Sequence, residues 1–379
     1  MKNLQKFFNN KKVLITGHSG FKGSWLTRIL LNWDANVAGM SLKPSTDPSL
    51  FYLLDIKKNI NNYFIDIRNF KKVKEIIFKE KPEIVFHLAA QPLVRDSYDD
   101  PLYTFETNII GTANVLEAIK EFGGVKSAVM ITTDKVYEEW ARIHYFKETD
   151  KLEGYDPYSS SKVGTEIVID SYIKSFFNPK HYKKCHITLI ASARSGNVIG
   201  GGDWQKDRIL PDIIRAVFEK KPTVHTQEKL IIRNPKSIRP WQYILEPLYG
   251  YILLAEKLYQ GKKELCGAWN FGPKEKNYLT VQKIVDKTLK MLKRGSYFER
   301  SEKQGSRRSS YIIKRDNKKH EAAFLRLDIS KAKKNLGWKP IFDLDKTLKL
   351  TLNWYRSFYN KEDIIKITNQ QIKLFFEKV

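Results

Sequence analysis

ITGHSGFKGSW, residues 15–25, joins a short apolar run to a run of apolar residues at helical spacing. Gly17, Gly20 and Gly23 therefore lie at a turn between a strand and a helix. At such a turn the missing side chains let backbone N–H groups and the positive end of the helix approach a pyrophosphate. The stretch predicts a dinucleotide site, although its spacing is G-x-x-G-x-x-G rather than G-x-G-x-x-G. A glycine turn that holds no ligand is the alternative.

The same alternation of strand and helix continues along the first half of the chain. Strand-like apolar runs recur at 13–17, 35–40, 62–67, 84–90, 127–133 and 186–193. Helical patterns separate these runs, for example over 66–78 and 102–122, and Gly123 follows the second pattern as a stop signal. This order predicts an α/β fold, a Rossmann-like doubly wound parallel sheet with helices on both faces.

The regular alternation fades beyond about residue 194, where glycine-rich and proline-punctuated segments begin. We therefore expect a dinucleotide-binding domain over 1–193 and a smaller C-terminal, mainly substrate-binding lobe over 194–379. A helix near 240–260 is expected to return to the first domain.

The composition is that of a globular protein with a large core, because 42% of the 379 residues are hydrophobic. No stretch approaches the roughly 18 apolar residues of a membrane span. The N-terminal residues also lack the apolar core of a signal peptide, so we expect a cytoplasmic protein with no membrane partner. Cys185 and Cys266 fit a reducing compartment, and no group of potential ligands has metal-site spacing.

The formal net charge of +25 raises the possibility of nucleic-acid binding. The lysines are spread along the chain, however, and the densest basic tract is confined to 314–319, shortly after Arg307 and Arg308. We therefore expect solvated lysines and no nucleic-acid partner. A basic surface would also attract an anionic small substrate.

A tyrosine and a lysine stand four residues apart in DPYSSSKVGTE, which places Tyr158 and Lys162 on one face of a helix. A neighbouring ammonium favours the ionised form of a phenol. Such a pair can take a proton from an alcohol while the carbinol hydride leaves for a nicotinamide. The spacing alone is common on surface helices, but the glycine turn and the strand pattern favour the catalytic interpretation.

Polar residues gather in VMITTDKVY, where the fifth strand-like run ends. The carboxyl edge of an open α/β sheet faces the ligand crevice, so Thr132, Thr133, Asp134 and Lys135 are expected there together. The alternative is a turn with a helix cap. A cap accounts for one or two of these residues, and less well for the adjacent acid and ammonium.

Nine motifs follow one another in a specific order: GHSGFKGSW, HLAAQPLVRDSY, TNIIGT, ITTDKVY, YDPYSSSK, RSGNVIGGGDW, IIRNPKSIRPWQ, WNFGP and LDISKAKKNLGW. With them the chain resembles the extended short-chain dehydrogenases/reductases and, more narrowly, the CDP-glucose 4,6-dehydratases. The resemblance runs from about residue 10 to about residue 357. The segments 221–230 and 299–319 fit it least and resemble local insertions.

The resemblance implies an NAD-dependent dehydration of CDP-glucose to CDP-4-keto-6-deoxyglucose, for deoxysugar and surface polysaccharide (lipopolysaccharide) synthesis. Tyr158 would then be the base for the C4 hydroxyl, and Lys162 would lower its pKa and hold the nicotinamide ribose. Thr133 would bind O4, and Asp134 would protonate the departing C6 hydroxyl. Lys135 stands where the dTDP-glucose enzymes carry Glu. An ammonium cannot remove the C5 proton, so either Lys135 is neutral or that base lies elsewhere.

For NAD, the resemblance implies contacts along the carboxyl edge of the sheet. The residues are Gly17, Gly20, Phe21, Gly23, Ser41, Asp66, Ile67, Ala89, Ala90, Tyr158 and Lys162. The acid expected about 20 residues beyond the glycines, which would bind the ribose, is absent. Ser41 could bond a ribose hydroxyl, whereas Lys43 could accommodate a 2′-phosphate, so NADP stays open. Asp66 could also be a helix N-cap.

For the nucleotide sugar, the resemblance implies contacts from Arg194, Asn197, Arg233 and Arg239. Arginine suits phosphate because its planar fork bonds two oxygens at once. His87 is expected to be a packed strand residue, and His320 with Glu321 a pair in the substrate lobe.

The resemblance also implies a homodimer. Two other functions stay open: a nucleotide-sugar 4-epimerase or reductase on the same fold, which would need no acid at C6, and a non-catalytic protein that senses a dinucleotide.

Overall fold

The computed structural model describes residues 2–139, 144–218, 230–293, 311–313 and 325–379. A parallel sheet of seven strands forms its centre. In chain order the strands are β1 Lys12–Thr16, β2 Asn36–Ser41, β3 Asn61–Phe64, β4 Ile84–His87, β5 Ser127–Ile131, β6 Leu189–Ser195 and β7 Gly267–Phe271. Their order across the sheet is β7-β6-β5-β4-β1-β2-β3. The predicted Rossmann-like α/β fold is confirmed.

Fourteen α-helices accompany the sheet in the described part of the chain. They are α1 Lys2–Phe8, α2 Phe21–Leu31, α3 Leu50–Leu53, α4 Ile56–Asn59, α5 Phe70–Glu80, α6 Val94–Asp99, α7 Pro101–Phe105, α8 Gly111–Phe122, α9 Pro157–Ser175, α10 Ile209–Phe218, α11 Leu245–Tyr259, α12 Val281–Lys293, α13 Leu344–Tyr359 and α14 Ile364–Phe376. A π-helical turn, Glu106–Ile110, links α7 to α8, and a second one spans Ala332–Leu336. Short 3-10 turns cover Asp134–Val136, Pro179–His181, Lys263–Leu265 and Glu275–Asn277.

Three small strand pairs lie outside the main sheet. Val198–Ile199 pairs in parallel with Gln242–Tyr243, Ile238–Pro240 pairs antiparallel with Tyr278–Thr280, and Leu230–Ile232 pairs in parallel with Tyr311–Ile313.

Apolar side chains fill both faces of the sheet, because successive residues of a strand point to opposite sides. In β1, Val13 and Ile15 join a core that includes α2 and α11, whereas Leu14 joins a second core with α5, α8 and α9. The carboxyl edge of the sheet, where the strands end, is thereby held rigidly between two packed layers.

Each of the six predicted strands is present, with ends shifted by a few residues. The seventh, β7, was not predicted, since about 70 residues separate it from β6 and the alternation of strand and helix is no longer visible there. It pairs with β6 from Gly267↔Ala191 to Phe271↔Ser195. The helix expected near 240–260 is α11, which packs against β5 and β6. The boundary at residue 193 stays a prediction.

Two local expectations have different outcomes. The stop signal is confirmed, because Gly123 ends α8 with a φ of 68° and its N–H bonds the carbonyl of Ile119. Asp66 is not a helix N-cap. Helix α5 begins later than expected, and the side chain of Asn69 caps it by accepting a hydrogen bond from the Lys72 N–H.

Within the described ranges, no helix is long and apolar enough to cross a membrane. In that same part of the chain, no group of three or more His, Cys, Asp or Glu side chains could hold a metal ion. Cys185 and Cys266 are both free thiols. The basic tract 314–319, the arginines 307 and 308 and the pair 320–321 lie outside the described residues.

Candidate active site

The glycine turn between β1 and α2 is shaped by two of its three glycines. Gly17 has a φ of 72°, and a Cβ atom there would lie 2.7 Å from the backbone nitrogen of Ala89. A Cβ atom on Gly23 would lie 2.1 Å from the Gly17 carbonyl oxygen. At Gly20, the N-cap of α2, the nearest atom would be 3.4 Å away. The turn thus closes on itself at Gly17 and Gly23, and Gly20 leaves room in front of the helix.

The residues after β2, β3 and β4 continue the same edge. The Ser41 hydroxyl lies within hydrogen-bond distance of the Ser19 hydroxyl, at 2.8 Å, and of the Leu42 carbonyl, at 2.9 Å. Ala89 donates its N–H to the Thr16 hydroxyl at 3.1 Å, and Ala90 beside it is half-buried. The strand ends are therefore tied to one another and to the turn.

Asp66 and Ile67 follow β3. The Asp66 carboxylate accepts hydrogen bonds from the Arg68 guanidinium at 2.8 and 3.0 Å. Ile67 is buried against Gly111 of α8, where a Cβ atom would lie 2.6 Å from its side chain. Asp66 is thus held by its neighbour and stays a predicted adenine contact.

The tyrosine and the lysine lie together in the first two turns of α9. Asp156 caps this helix by accepting the Ser159 N–H, and the Tyr158 N–H bonds the Ser97 hydroxyl at 3.0 Å. Both functional side chains are buried, and the Lys162 amine donates to the Ile131 carbonyl at 3.3 Å. The surface-helix alternative is therefore wrong.

The electrostatics of this pair differ from the expectation. Burial raises the pKa of Tyr158 to about 12, although a hydrogen bond with Thr133 and the charge of Arg208 oppose the rise. Burial also lowers the pKa of Lys162 to about 8. The Lys162 amine is directed at the end of β5, and its expected effect on the Tyr158 pKa stays a prediction.

Asp134 lies directly after β5, at the start of a 3-10 turn. Its Oδ1 accepts a hydrogen bond from the Thr133 hydroxyl at 3.2 Å, whereas its buried Oδ2 has no hydrogen-bond partner among the residues that the structure describes. Burial raises the pKa of Asp134 despite the nearby charges of Lys135, Arg239 and Lys22. The capping alternative accounts for Thr133, which accepts the Lys135 N–H, but not for the carboxyl group.

Arg194 was expected to bind the substrate, but its guanidinium is engaged by partners within the protein. Its guanidinium bonds both carboxylate oxygens of Glu166 at 2.9 Å, the Tyr137 hydroxyl at 2.9 Å and the Glu148 carbonyl at 3.2 Å. Removal of one partner of such a pair would leave the other charge buried and uncompensated. Sequence reasoning missed the partner, although Glu166 continues the four-residue spacing of Tyr158 and Lys162.

The other expected substrate ligands divide into two groups. Arg239 is buried and close enough to Asp134 to influence its pKa, and the Asn197 carbonyl accepts the Gln242 N–H at 3.2 Å. Arg233 forms an ion pair with Asp207 at 2.5 Å. The structure therefore places Arg239 near Asp134, and the role of Arg233 stays a prediction.

His87 is confirmed as a packed strand residue. Its ring nitrogens bond the hydroxyls of Thr16 at 2.7 Å and Thr112 at 3.0 Å. Burial lowers its pKa to about 3, so the ring stays neutral.

Two cations of the site were missed. Lys22, in the first turn of α2, donates to the Ser195 hydroxyl at 3.0 Å, and Arg208 donates to Asp203 at 3.1 Å. The charge of Lys22 lowers the pKa of Asp134, and the charge of Arg208 lowers the pKa of Tyr158, each against the larger effect of burial. Lys22 belongs to the motif GHSGFKGSW, and Arg208 lies four residues beyond the end of RSGNVIGGGDW. A lysine inside a glycine turn was the available signal.

These residues fit a dinucleotide with a pyrophosphate group. The first N–H groups of a helix have no partner within it, and the space in front of Gly20 is one that a side chain would fill. The half-buried Lys22 and the buried Lys162 supply positive charge, and Asp134 and Tyr158 provide acid–base groups.

Known proteins resemble this chain over most of its length. A family model described as GDP-mannose 4,6 dehydratase matches residues 14–351. The CDP-glucose 4,6-dehydratase of Salmonella typhimurium is 42% identical over 368 residues, which cover 97% of each chain.

Solved structures share the fold. A dTDP-glucose 4,6-dehydratase of Streptomyces venezuelae, solved with NAD bound, has a TM-score of 0.74 at 20% identity and covers 93% of this chain and 99% of its own. A UDP-glucose 4-epimerase of Thermotoga maritima, solved with UDP-glucose, has a TM-score of 0.73 at 23% identity and covers 91% and 99%. By the family model and the Salmonella relative, the chain belongs to the nucleotide-sugar 4,6-dehydratase family of the extended short-chain dehydrogenases/reductases.

Proposed function

We propose that this protein converts CDP-glucose to CDP-4-keto-6-deoxyglucose and water, with NAD as a resident cofactor. The observation that carries the proposal is the buried carboxyl group of Asp134, whose Oδ2 has no partner, beside the hydroxyls of Thr133 and Tyr158. The choice of CDP-glucose rests on the Salmonella relative, which is 42% identical over nearly the whole chain.

NAD would be held by the turn at Gly17, Gly20 and Gly23 and by the strand ends that follow it, and when bound it supplies a hydride acceptor and donor. The preference for NAD over NADP is supported by the relatives solved with NAD. Lys162, at the carbonyl end of β5, would hold the nicotinamide ribose.

Tyr158 would take the proton of the C4 hydroxyl. Its phenol and the Thr133 hydroxyl are hydrogen-bonded neighbours, so together they can hold one substrate oxygen. Because burial raises the pKa of Tyr158 to about 12, the phenol starts protonated and needs a nearby positive charge to ionise. Lys162, one turn away on α9, would supply that charge.

Asp134 would donate the proton that releases the C6 hydroxyl as water. Burial raises the pKa of Asp134, which favours the protonated form that a general acid requires. The backbone packs closely around it, since a Cβ atom at Gly196 would lie 2.4 Å from Oδ2. The carboxyl is therefore fixed in direction. A 4-epimerase would leave the C6 hydroxyl in place and would have no use for this acid.

Arg239, Asn197 and Arg233 remain the proposed ligands of the nucleotide sugar. Arg239 has the strongest support because it is buried beside Asp134. Arg233 would have to exchange Asp207 for a phosphate. The C5 base is not assigned, and Lys135 remains a candidate.

The reaction run in heavy water tests the proposed function. With CDP-glucose, the expected product has lost one water molecule and carries deuterium at C5, because the C5 proton is removed and replaced from solvent. Mass spectrometry of the product reads both changes. A product of unchanged mass, inverted at C4, would establish an epimerase instead. The same reaction with UDP-, GDP- and dTDP-glucose as substrates tests the base.

We also propose a cytoplasmic homodimer that serves surface polysaccharide synthesis. Three exposed apolar side chains lie on neighbouring helical segments: Leu102 on α7, Ile110 at the start of α8 and Ile167 on α9. Such a surface is typical of a contact with a second copy. Sedimentation equilibrium that gives the mass of a single chain would contradict the dimer.

A further inference from the structure

The lysine of the glycine turn spans the site. Lys22 is the second residue of α2, which follows β1, yet its amine bonds Ser195 at the end of β6. Strands β4 and β5 lie between β1 and β6 in the sheet. The side chain therefore crosses the carboxyl edge between the glycine turn and the catalytic pair. A ligand that extends from one to the other must pass it.

The amine is held in place by a short hydrogen-bond chain. It donates to the Ser195 hydroxyl at 3.0 Å, and that hydroxyl bonds the Tyr251 hydroxyl of α11 at 2.7 Å. Both partners are buried and neutral. They direct the amine but provide no counter-charge.

The charges around the amine are mainly positive. Lys162 on α9 and Arg208 before α10 repel its ammonium form, and Asp134 after β5 is the acid that attracts it. Burial and these cations lower the pKa of Lys22 to about 7. Asp134 has a raised pKa, so it is a weak source of negative charge. Asp203 is paired with Arg208 at 3.1 Å, so among the described residues that shift the Lys22 pKa no acid offers the amine a strong counter-charge.

We propose that Lys22, as its ammonium form, binds the pyrophosphate of the dinucleotide, next to the backbone N–H groups of the turn. The proposal rests on the proposed function. A diphosphate would supply negative charge to the Lys22 amine. A diphosphate also binds at the N-terminus of a helix, and Lys22 is in the first turn of α2. The nucleotide sugar also contains a diphosphate, but the position of Lys22 within the turn favours the cofactor.

Binding must then change the protonation of Lys22. An anion raises the pKa of a neighbouring amine, so a lysine that is mostly neutral above pH 7 takes up a proton when the pyrophosphate arrives. With a free pKa of about 7, the uptake by this group is about 0.9 proton at pH 8 and about 0.1 at pH 6.

Calorimetric titration of the full chain, freed of dinucleotide, with NAD tests this. Measurements at pH 8 and pH 6 in buffers of different ionisation enthalpy give the number of protons taken up. Lys162 titrates in the same range, so the assignment depends on the difference between the native protein and Lys22→Met. We expect the variant to lose most of the uptake at pH 8 and to bind NAD about 10- to 100-fold more weakly.

Two further variants separate the contact from general effects. Lys22→Arg keeps a permanent charge, so it should bind NAD without the proton uptake of this residue. Lys174→Met removes a lysine from α9 whose side chain is 72% exposed, and it should behave as the native protein does. If Lys22→Met matches the native protein in affinity and in proton uptake, the assignment is wrong and the proposed function stands. If native protein does not bind NAD, both fail.

Two other ligands identify the source of the diphosphate. ADP-ribose contains the pyrophosphate but no nicotinamide, and we expect it to give the same difference between native protein and Lys22→Met. A difference with NAD but not with ADP-ribose would move the contact to the nicotinamide half. A difference with CDP alone would move it to the substrate. Either result overturns the assignment.

Discussion

Two buried charged clusters lie on opposite sides of the end of β6, and they differ in whether their polar atoms are satisfied. Arg194 and Ser195 are consecutive, so their side chains point to opposite faces of the sheet. On the side of α9, Arg194 and Glu166 form a closed ion pair to which Thr132 and Ser192 add hydrogen bonds. On the other side, Ser195 leads to Lys22 and to a group of charges that is open.

The difference appears in the carboxyl groups. Burial raises the pKa of Glu166, but the charge of Arg194 and its hydrogen bonds outweigh burial and leave the pKa below its ordinary value. For Asp134 the effect of burial outweighs the nearby positive charges and raises the pKa. Among the described residues its Oδ2 has no hydrogen-bond partner. A buried charge whose partners all lie within the protein has no need of a ligand, whereas an unsatisfied polar group is a candidate for binding or catalysis. Glu166 and Asp134 are both buried, so the degree of burial alone would not distinguish the two carboxyl groups.

The largest expected effect is on the open side. Asp134→Asn keeps the shape of the side chain but removes its proton, so the release of water from CDP-glucose should slow by about 10²- to 10⁴-fold. Mass spectrometry of the product measures this, and the melting temperature should not fall. Asp170→Asn, an exposed position on α9, is the matched control and should keep the native rate. A near-native rate in Asp134→Asn would remove this residue from the chemistry.

The closed side should respond through stability. Arg194→Met leaves the Glu166 carboxylate buried without its partner, which costs about 3–5 kcal/mol of the free energy of unfolding. Denaturant unfolding measures the loss. The double variant Arg194→Met with Glu166→Gln removes both charges and should recover part of it. If the double variant is as unstable as the single one, the unpaired charge is not the cause. A single variant that is stable but binds CDP-glucose weakly would restore the substrate role of Arg194.

The open cluster was largely predictable from sequence because its members lie in short local patterns. The glycine turn, the Tyr158–Lys162 spacing and the polar residues after the fifth strand are each readable within a dozen residues. Parallel strands bring their carboxyl ends to one edge, and this brings the patterns together. Lys22 lies within one of these local patterns, but the position of its amine depends on Ser195, which is 173 positions away in the chain.

The closed cluster and β7 were not predictable for the same physical reason. Arg194 looks like a phosphate ligand until Glu166, on another element, is known to meet it. Strand β7 joins the sheet by pairing with β6, and nothing in its five residues identifies that neighbour. The helix N-cap is a smaller case, since Asp66 and Asn69 are both suitable caps and only the start of α5 decides between them.

The smallest expected effect is a pH dependence of opposite sign on the two sides. The raised pKa of Asp134 contributes stability that is present below its unfolded value of 3.8 and is lost as pH rises through the folded pKa. The free energy of unfolding of Asp134→Asn should therefore gain on that of the native protein as pH rises above 3.8. The lowered pKa of Glu166 contributes stability that is present above 4.5 and is lost as pH falls through the folded pKa. The advantage of the native protein over the double variant should therefore shrink in acid.

Denaturant unfolding of the three proteins at each pH measures both slopes. Parallel curves for Asp134→Asn and the native protein would mean that Asp134 is ionised like an ordinary aspartate, and its assignment as the acid would then fall.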